Sequence, residues 1–319
     1  MTTDSPRPDA IFAPRNLPAH PLTRVFFGSQ GLRAGWRLLC YVFLAAVLGL
    51  LLPRLASYLW ANPPRGLNPG YMLTQECLAA GVVFGGALVM SFLEGRAMGV
   101  YGLPLSGVLV RRLAQGTFWG LAEVGVLMLL IAAWGGYSFG NSVLHGAAMI
   151  HSAVLWAIVF IVVGLFEEFA FRGYTQFTLA SGIGFWPAAF VLSAIFGGIH
   201  ISNPGEGWIG ASGAGLIGLF YCLTLRRTGS LWFAVGAHAA FDWGETFLFS
   251  VPNSGIVAEG HLSGASLHGP RWLTGGTVGP EGSIFCFLIT ALMFVGFYFV
   301  FPATSSPAQA ASTNEPAPH

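Results

Sequence analysis

Residues 151–172 read HSAVLWAIVFIVVGLFEEFAFR. The first sixteen carry no Asp, Glu, Lys or Arg. Then come two adjacent glutamates, Glu167 and Glu168, and an arginine, Arg172. About 20 apolar residues cross the ~30 Å hydrocarbon core of a bilayer as a helix. This stretch is therefore predicted to be a transmembrane helix with carboxylates near its end. An ionisable group inside a span costs several kcal/mol, on the order of 3 by insertion scales, so it is a functional candidate by default.

The rest of the chain agrees with that reading. Of 319 residues, 54% are hydrophobic and only 8% are charged, with a mean hydropathy of +0.67. A soluble domain carries roughly 25% charge. Such a composition excludes nucleic-acid binding, a disordered chain and a secreted disulfide scaffold. It predicts an all-α, polytopic membrane protein. Cys40, Cys77, Cys222 and Cys286 stand far apart with no CxxC or Cys/His ligand spacing, and read as isolated thiols. All 14 basic residues are arginine.

About eight spans are expected, near 37–60, 72–93, 114–136, 151–172, 185–201, 209–225, 231–249 and 283–301. Residues 1–35 form a polar, Pro-rich tail, and Leu22–Trp36 is expected to lie along the membrane surface. The tail has no apolar run of the kind a cleaved signal peptide needs. Residues 36–302 make the membrane domain. The connection 250–282 is long and Gly-rich. Residues 303–319, rich in Pro, Ala and Ser, are expected to be disordered. With the N-terminus inside, eleven arginines fall in cytoplasmic segments and three (Arg54, Arg65, Arg271) outside. That split predicts a cell inner-membrane protein with both termini cytoplasmic.

Four sites hold ionisable groups in apolar context: Glu123, Glu167-Glu168 with Arg172, His200, and His238 with Asp242 and Glu245. Glu168 and Arg172 are i,i+4 neighbours with the acid N-terminal, the favourable order, so Arg172 is expected to neutralise Glu168. Glu167 lies about 140° around the helix from Arg172, at ~100° per residue, and points elsewhere. An unpaired carboxylate in low dielectric suits general acid–base work. Ser181-Gly182-Ile183-Gly184 reads as a turn. Counting back to Glu167 and on to His200 puts both ~21–24 Å from it, at matching depth. His238 and Asp242, also i,i+4, share a face, where Asp242 can accept from a ring nitrogen and fix the tautomer. Glu245 extends that face. His261 and His268 read as solvated loop residues, and His145 and His151 as facing water at a helix boundary.

Three ordered motifs, Glu167-Glu168-Phe169-Ala170-Phe171-Arg172-Gly173, Phe196-x-x-x-His200, and Arg227-Thr228-Gly229-Ser230-Leu231-Trp232 followed by His238-x-x-x-Asp242, resemble the CPBP family. This is the CAAX protease and bacteriocin-processing family of intramembrane endopeptidases, typified by Rce1-type prenyl-protein proteases. The resemblance covers roughly residues 150–250. It implies a membrane-embedded peptide hydrolase, with residues 150–250 as its catalytic core, acting on a membrane-associated protein or peptide. Glu167 and His200 would activate a water, Glu168 and Arg172 would support them, and His238 with the residue four on would stabilise the oxyanion. No cofactor is implied. Many members have Asn where this chain has Asp242. An ionised Asp would repel an oxyanion, so Asp242 is either protonated or orients His238.

The same residues fit other chemistries. Glu167, His200 and His238 offer the N/O donors of a catalytic zinc site. The polar groups can also serve a proton relay in a transporter or a scaffold that binds a partner helix. Transporters usually show paired repeats or broken helices in both halves, and the sequence shows neither.

Overall fold

A computed structural model describes residues 21–302, except 29, 30, 61, 63, 65–67 and 204. The expectations for residues 1–20 and for the tail 303–319 fall outside the described residues. The protein is all-α apart from two-residue strands. A short helix α1 (Pro21–Phe26) and the pair β1 (Phe27–Gly28) and β2 (Gly31–Leu32) lead into α2 (Ala34–Leu59). Then follow α3 (Pro69–Glu94), α4 (Val108–Ala133), β3 (Tyr137–Ser138), α5 (Gly146–Arg172), α6 (Tyr174–Ile183), α7 (Phe185–His200) and α8 (Trp208–Thr228). The chain ends with α9 (Trp232–Trp243), a π-helical turn (Gly244–Leu248), β4 (Ser266–Leu267), α10 (Arg271–Thr274) and α11 (Ile284–Val300). β3 pairs with β4.

Among the described residues, five helical stretches, not eight, are long and apolar enough to cross a membrane: α2, α3, α4, α5 with α6 as one apolar stretch, and α8. The other three predicted spans are helical but short, α7 with 16 residues, α9 with 12 and α11 with 17. At 1.5 Å per residue, 16 residues reach only ~24 Å. Large apolar side chains such as Phe43, Leu50, Phe92, Leu129 and Phe299 face outward. So wide an apolar exterior fits a lipid solvent.

The expected turn at 181–184 is present at Gly184, whose φ of 87° suits a residue without a Cβ. The helix before it is not straight. α5 stops at Arg172, Gly173 bends the chain, and α6 leaves as a separate helix. A Cβ on Gly173 would sit 2.5 Å from the Phe169 carbonyl oxygen. The depth count from the turn to Glu167 therefore does not hold as a straight measure.

α9 is the central element, packed backbone-to-backbone on α4. A Cβ on Gly120 would lie 2.1 Å from the Ala237 carbonyl oxygen, and one on Gly236 would lie 2.3 Å from that of Leu113. Small residues permit such close approach between membrane helices. Phe233, Phe297, Trp119 and Phe220 interlock edge-to-face beside it.

The molecule has two ends. At one, buried Glu94 gathers Arg37 (2.9 Å), Arg96 (3.5 Å) and the Tyr174 hydroxyl, while Arg37 also donates to Ser181 Oγ. There Leu231 N–H donates to the Gly102 carbonyl, and Trp232 Nε1–H to that of Pro104. At the other end the long connection 250–282 closes over the bundle. Trp156 Nε1–H donates to the Glu259 carbonyl, and Thr277 Oγ to that of Gly205.

Candidate active site

The first motif supplies Glu168 from α5. Its Oε1 takes a hydrogen bond from Arg172 Nη1 at 3.1 Å, the i,i+4 pair expected from the sequence, and both side chains are fully buried. Arg172 is held from its other faces too. Its guanidinium carbon lies 4.3 Å from the centroid of the Phe196 ring. A Cβ on Gly218 of α8 would fall 2.2 Å from Nη2. That glycine makes room for the arginine.

Glu168 Oε1 has a second partner, which the sequence did not disclose. His238 of α9 brings Nδ1 to 2.9 Å from it. A carboxylate accepts, so Nδ1 carries the proton. Nε2 of the same ring lies 3.7 Å from Glu167 Oε2 and 3.5 Å from Asp242 Oδ2. Neither is a hydrogen-bonded contact, so Nε2 is left facing two carboxylates without being bound to either. Glu168, rather than Asp242, is the partner that sets the tautomer. The Tyr221 ring stacks on the imidazole at 5.8 Å.

His200, at the end of α7, has Nδ1 at 2.7 Å from the Phe196 carbonyl. The carbonyl can only accept, so Nδ1 is the protonated nitrogen. In the neutral ring Nε2 then keeps a free lone pair.

Glu167, His200, His238 and Asp242 all line one cavity of about 250 Å³. Glu168 and Arg172 lie behind it. Glu123 lines it as well, with Oε2 buried and unpartnered. Glu245, in the π-helical turn, is fully buried and does not line it; it sits against Glu281 instead. Glu76 of α3 is a further carboxylate on the cavity wall that sequence reasoning passed over. It is an ionisable residue inside an apolar span, so the rule that singled out Glu123 applies to it equally. The connection 250–282 contributes Asn253, Ser254, Ile256 and Glu281 to the wall. Ser254 Oγ donates to Glu281 at 3.1 Å. Burial, and then the nearby Asp242 charge, push the Glu281 carboxyl up to about 7. Glu206, between α7 and α8, is likewise raised to about 7 by burial and then by Glu281.

His261 bonds the Ala258 carbonyl and His268 the Ser266 hydroxyl, both outside the cavity. Among the described residues, no three His, Cys, Asp or Glu side chains are disposed to hold one metal ion. The donor set Glu167, His200 and His238 does not converge as the zinc reading requires.

Residues 149–244 match the family model described as type II CAAX prenyl endopeptidase Rce1-like. The match spans under a third of the chain and contains Glu167, Glu168, Arg172, His200, His238 and Asp242. No curated protein and no solved structure matches the chain. A multi-pass helical membrane protein, a segment similar to this protease family and a buried Glu–His pair together support peptide-hydrolase activity in general.

Proposed function

We propose that the protein is an intramembrane, glutamate-type endopeptidase of the inner membrane, cutting a peptide bond in a membrane-associated protein or peptide. The observation that carries the reading is the meeting of Glu167, His200, His238 and Asp242 on one cavity wall, with Glu168 and Arg172 packed behind. A water between Glu167 and His200 gives one proton to the Glu167 carboxylate. It offers the other to the free lone pair of His200 Nε2. The hydroxide oxygen attacks the scissile carbonyl carbon. His238, held by Glu168 through Nδ1, donates from Nε2 to the developing oxyanion when that nitrogen is protonated. Preorganised donors of this kind act where charge appears in the transition state. Glu167 then returns its proton to the leaving nitrogen as the C–N bond breaks, and the new carboxylic acid passes its proton to His200 Nε2, so the products are a carboxylate and an amine. Asp242, 3.5 Å from His238 Nε2, keeps the imidazole turned toward the oxyanion.

The test compares membrane proteomes of cells carrying wild type and Glu167→Gln. Uncleaved proteins should accumulate in the variant, with equal membrane insertion of the two proteins. Near wild-type turnover in Glu167→Gln would remove the assignment.

A further inference from the structure

Among the described residues, the cavity reaches one end of the molecule. Its wall residues in the connections between helices, Asn203, Asn253, Ser254, Ile256 and Glu281, come from α7–α8 and α9–α11. None comes from 95–107, from the α6–α7 turn or from the α8–α9 turn, which sit at the other end. That other end is where arginine collects. Arg24, Arg33, Arg37, Arg96, Arg111, Arg112, Arg226 and Arg227 lie there, against Arg54 and Arg271 toward the cavity's end. Of the carboxylates away from the cavity's interior, Glu94 lies at the arginine-rich end, paired with Arg37 and Arg96. Glu206, Glu259 and Glu281 lie in connections at the cavity's end. Short loops rich in Arg stay on the cytoplasmic side during insertion.

We propose that the cavity opens on the extracytoplasmic face, and that the substrate is a peptide segment presented from that side, not a cytoplasmic one. This rests on the peptidase reading for the word substrate, but the sidedness does not. The hydroxyl, amide and carboxylate groups of Ser254, Asn253 and Glu281 at the mouth suit a hydrated chain arriving from water. Glu167 and His238, further in, then meet a peptide bond at or below the outer membrane boundary.

The experiment uses single cysteines in a chain whose four native cysteines are replaced by serine. Val257→Cys reports the exposed surface of the 250–282 connection, Ser254→Cys the cavity mouth, and Ser106→Cys the arginine-rich end. Right-side-out and inverted membrane vesicles are treated with a membrane-impermeant maleimide. Val257→Cys and Ser254→Cys should label in right-side-out vesicles, and Ser106→Cys only in inverted ones. Labelling of Val257→Cys or Ser254→Cys in inverted vesicles alone would overturn the proposal. So would a Ser254→Cys that labels from neither side while Val257→Cys labels, because the mouth would then be shut. Proteins that accumulate in Glu167→Gln cells should have their cleavage sites in the outer half of a span or just outside it; sites in cytoplasmic segments would also overturn it. Labelling needs no turnover. An inactive chain with outward labelling would therefore sink the peptidase reading and leave the sidedness standing.

Discussion

Glu168 Oε1 accepts from both Arg172 and His238, and an amide there would accept without supplying the negative charge. Glu168→Gln leaves Arg172 buried without a counter-charge, and breaking a buried pair costs about 3–5 kcal/mol. The variant should give a markedly lower folded yield by size-exclusion chromatography in detergent. Adding Arg172→Met should restore the yield without restoring cleavage, since the amide oxygen still accepts from His238 Nδ1 but no longer brings a negative charge to the ring when it is doubly protonated. An unchanged yield in Glu168→Gln would show that the pair does not bear on folding. A second test concerns His238 and Asp242. His238→Ala and Asp242→Ala should each lose roughly 10²-fold or more in kcat/KM, the scale for an oxyanion donor. The double variant should be little worse, as for groups acting as a unit. Asp242→Asn should retain activity or shift its pH optimum; additive losses would assign the two residues separate roles. The pair Glu168–Arg172 was legible because four residues on one helix turn dictate it. Glu168–His238 was not, because 70 residues separate the partners and only the packing of α5 on α9 joins them.

At the scale of elements, the close contact of α4 with α9 positions the imidazole. Gly236→Ala places a methyl where the Leu113 carbonyl stands, forcing the helices apart at a cost of about 1–3 kcal/mol for overpacking. Thermal melts should register that loss. Turnover should fall too, because His238 rides on the displaced helix. The 250–282 connection supplies a pH signature. Glu281 is raised to about 7 from an ordinary value near 4.5, so the folded state holds its proton more tightly than the unfolded chain does. Its stabilising contribution is full below about 4.5 and is lost as pH rises to about 7. Glu206, Asp242, Glu245 and His238 face or adjoin it. The Glu281→Gln variant should flatten the decline in melting temperature between pH 5 and 7 relative to wild type. An unchanged slope would place the titration elsewhere. The sequence marked this connection only as long and Gly-rich, since its fold depends on contacts with β3, α5 and the α7–α8 loop. The bend at Gly173 was equally hidden, because the apolar run continues through it.

For the whole molecule, composition and hydropathy were enough to read an all-α membrane protein, and among the described residues five stretches have the required length. The further three helices were visible as apolar runs, but apolarity does not report length across a bilayer. Reporter fusions near 105 and 228 should give cytoplasmic signals, and those near 143 and 265 external ones. A reversed signal at 228 would invert the charge argument as a whole. The ordered motifs identified the candidate residues in advance. What they could not convey is that the α7–α8 and α9–α11 connections form the wall at one end of the cavity, because that follows from how α7, α8 and α9 are arranged in space.

Gly218 and Arg172 also restrict the routes by which such a site can change over generations. With no room for a β-carbon beside Nη2, a side chain at 218 displaces the guanidinium from Glu168, and a lysine at 172 offers no planar fork to lie on Phe196. Neither position can drift alone. Lineages that keep the arginine are expected to keep the glycine, and a lineage that loses one should be found to have lost the other.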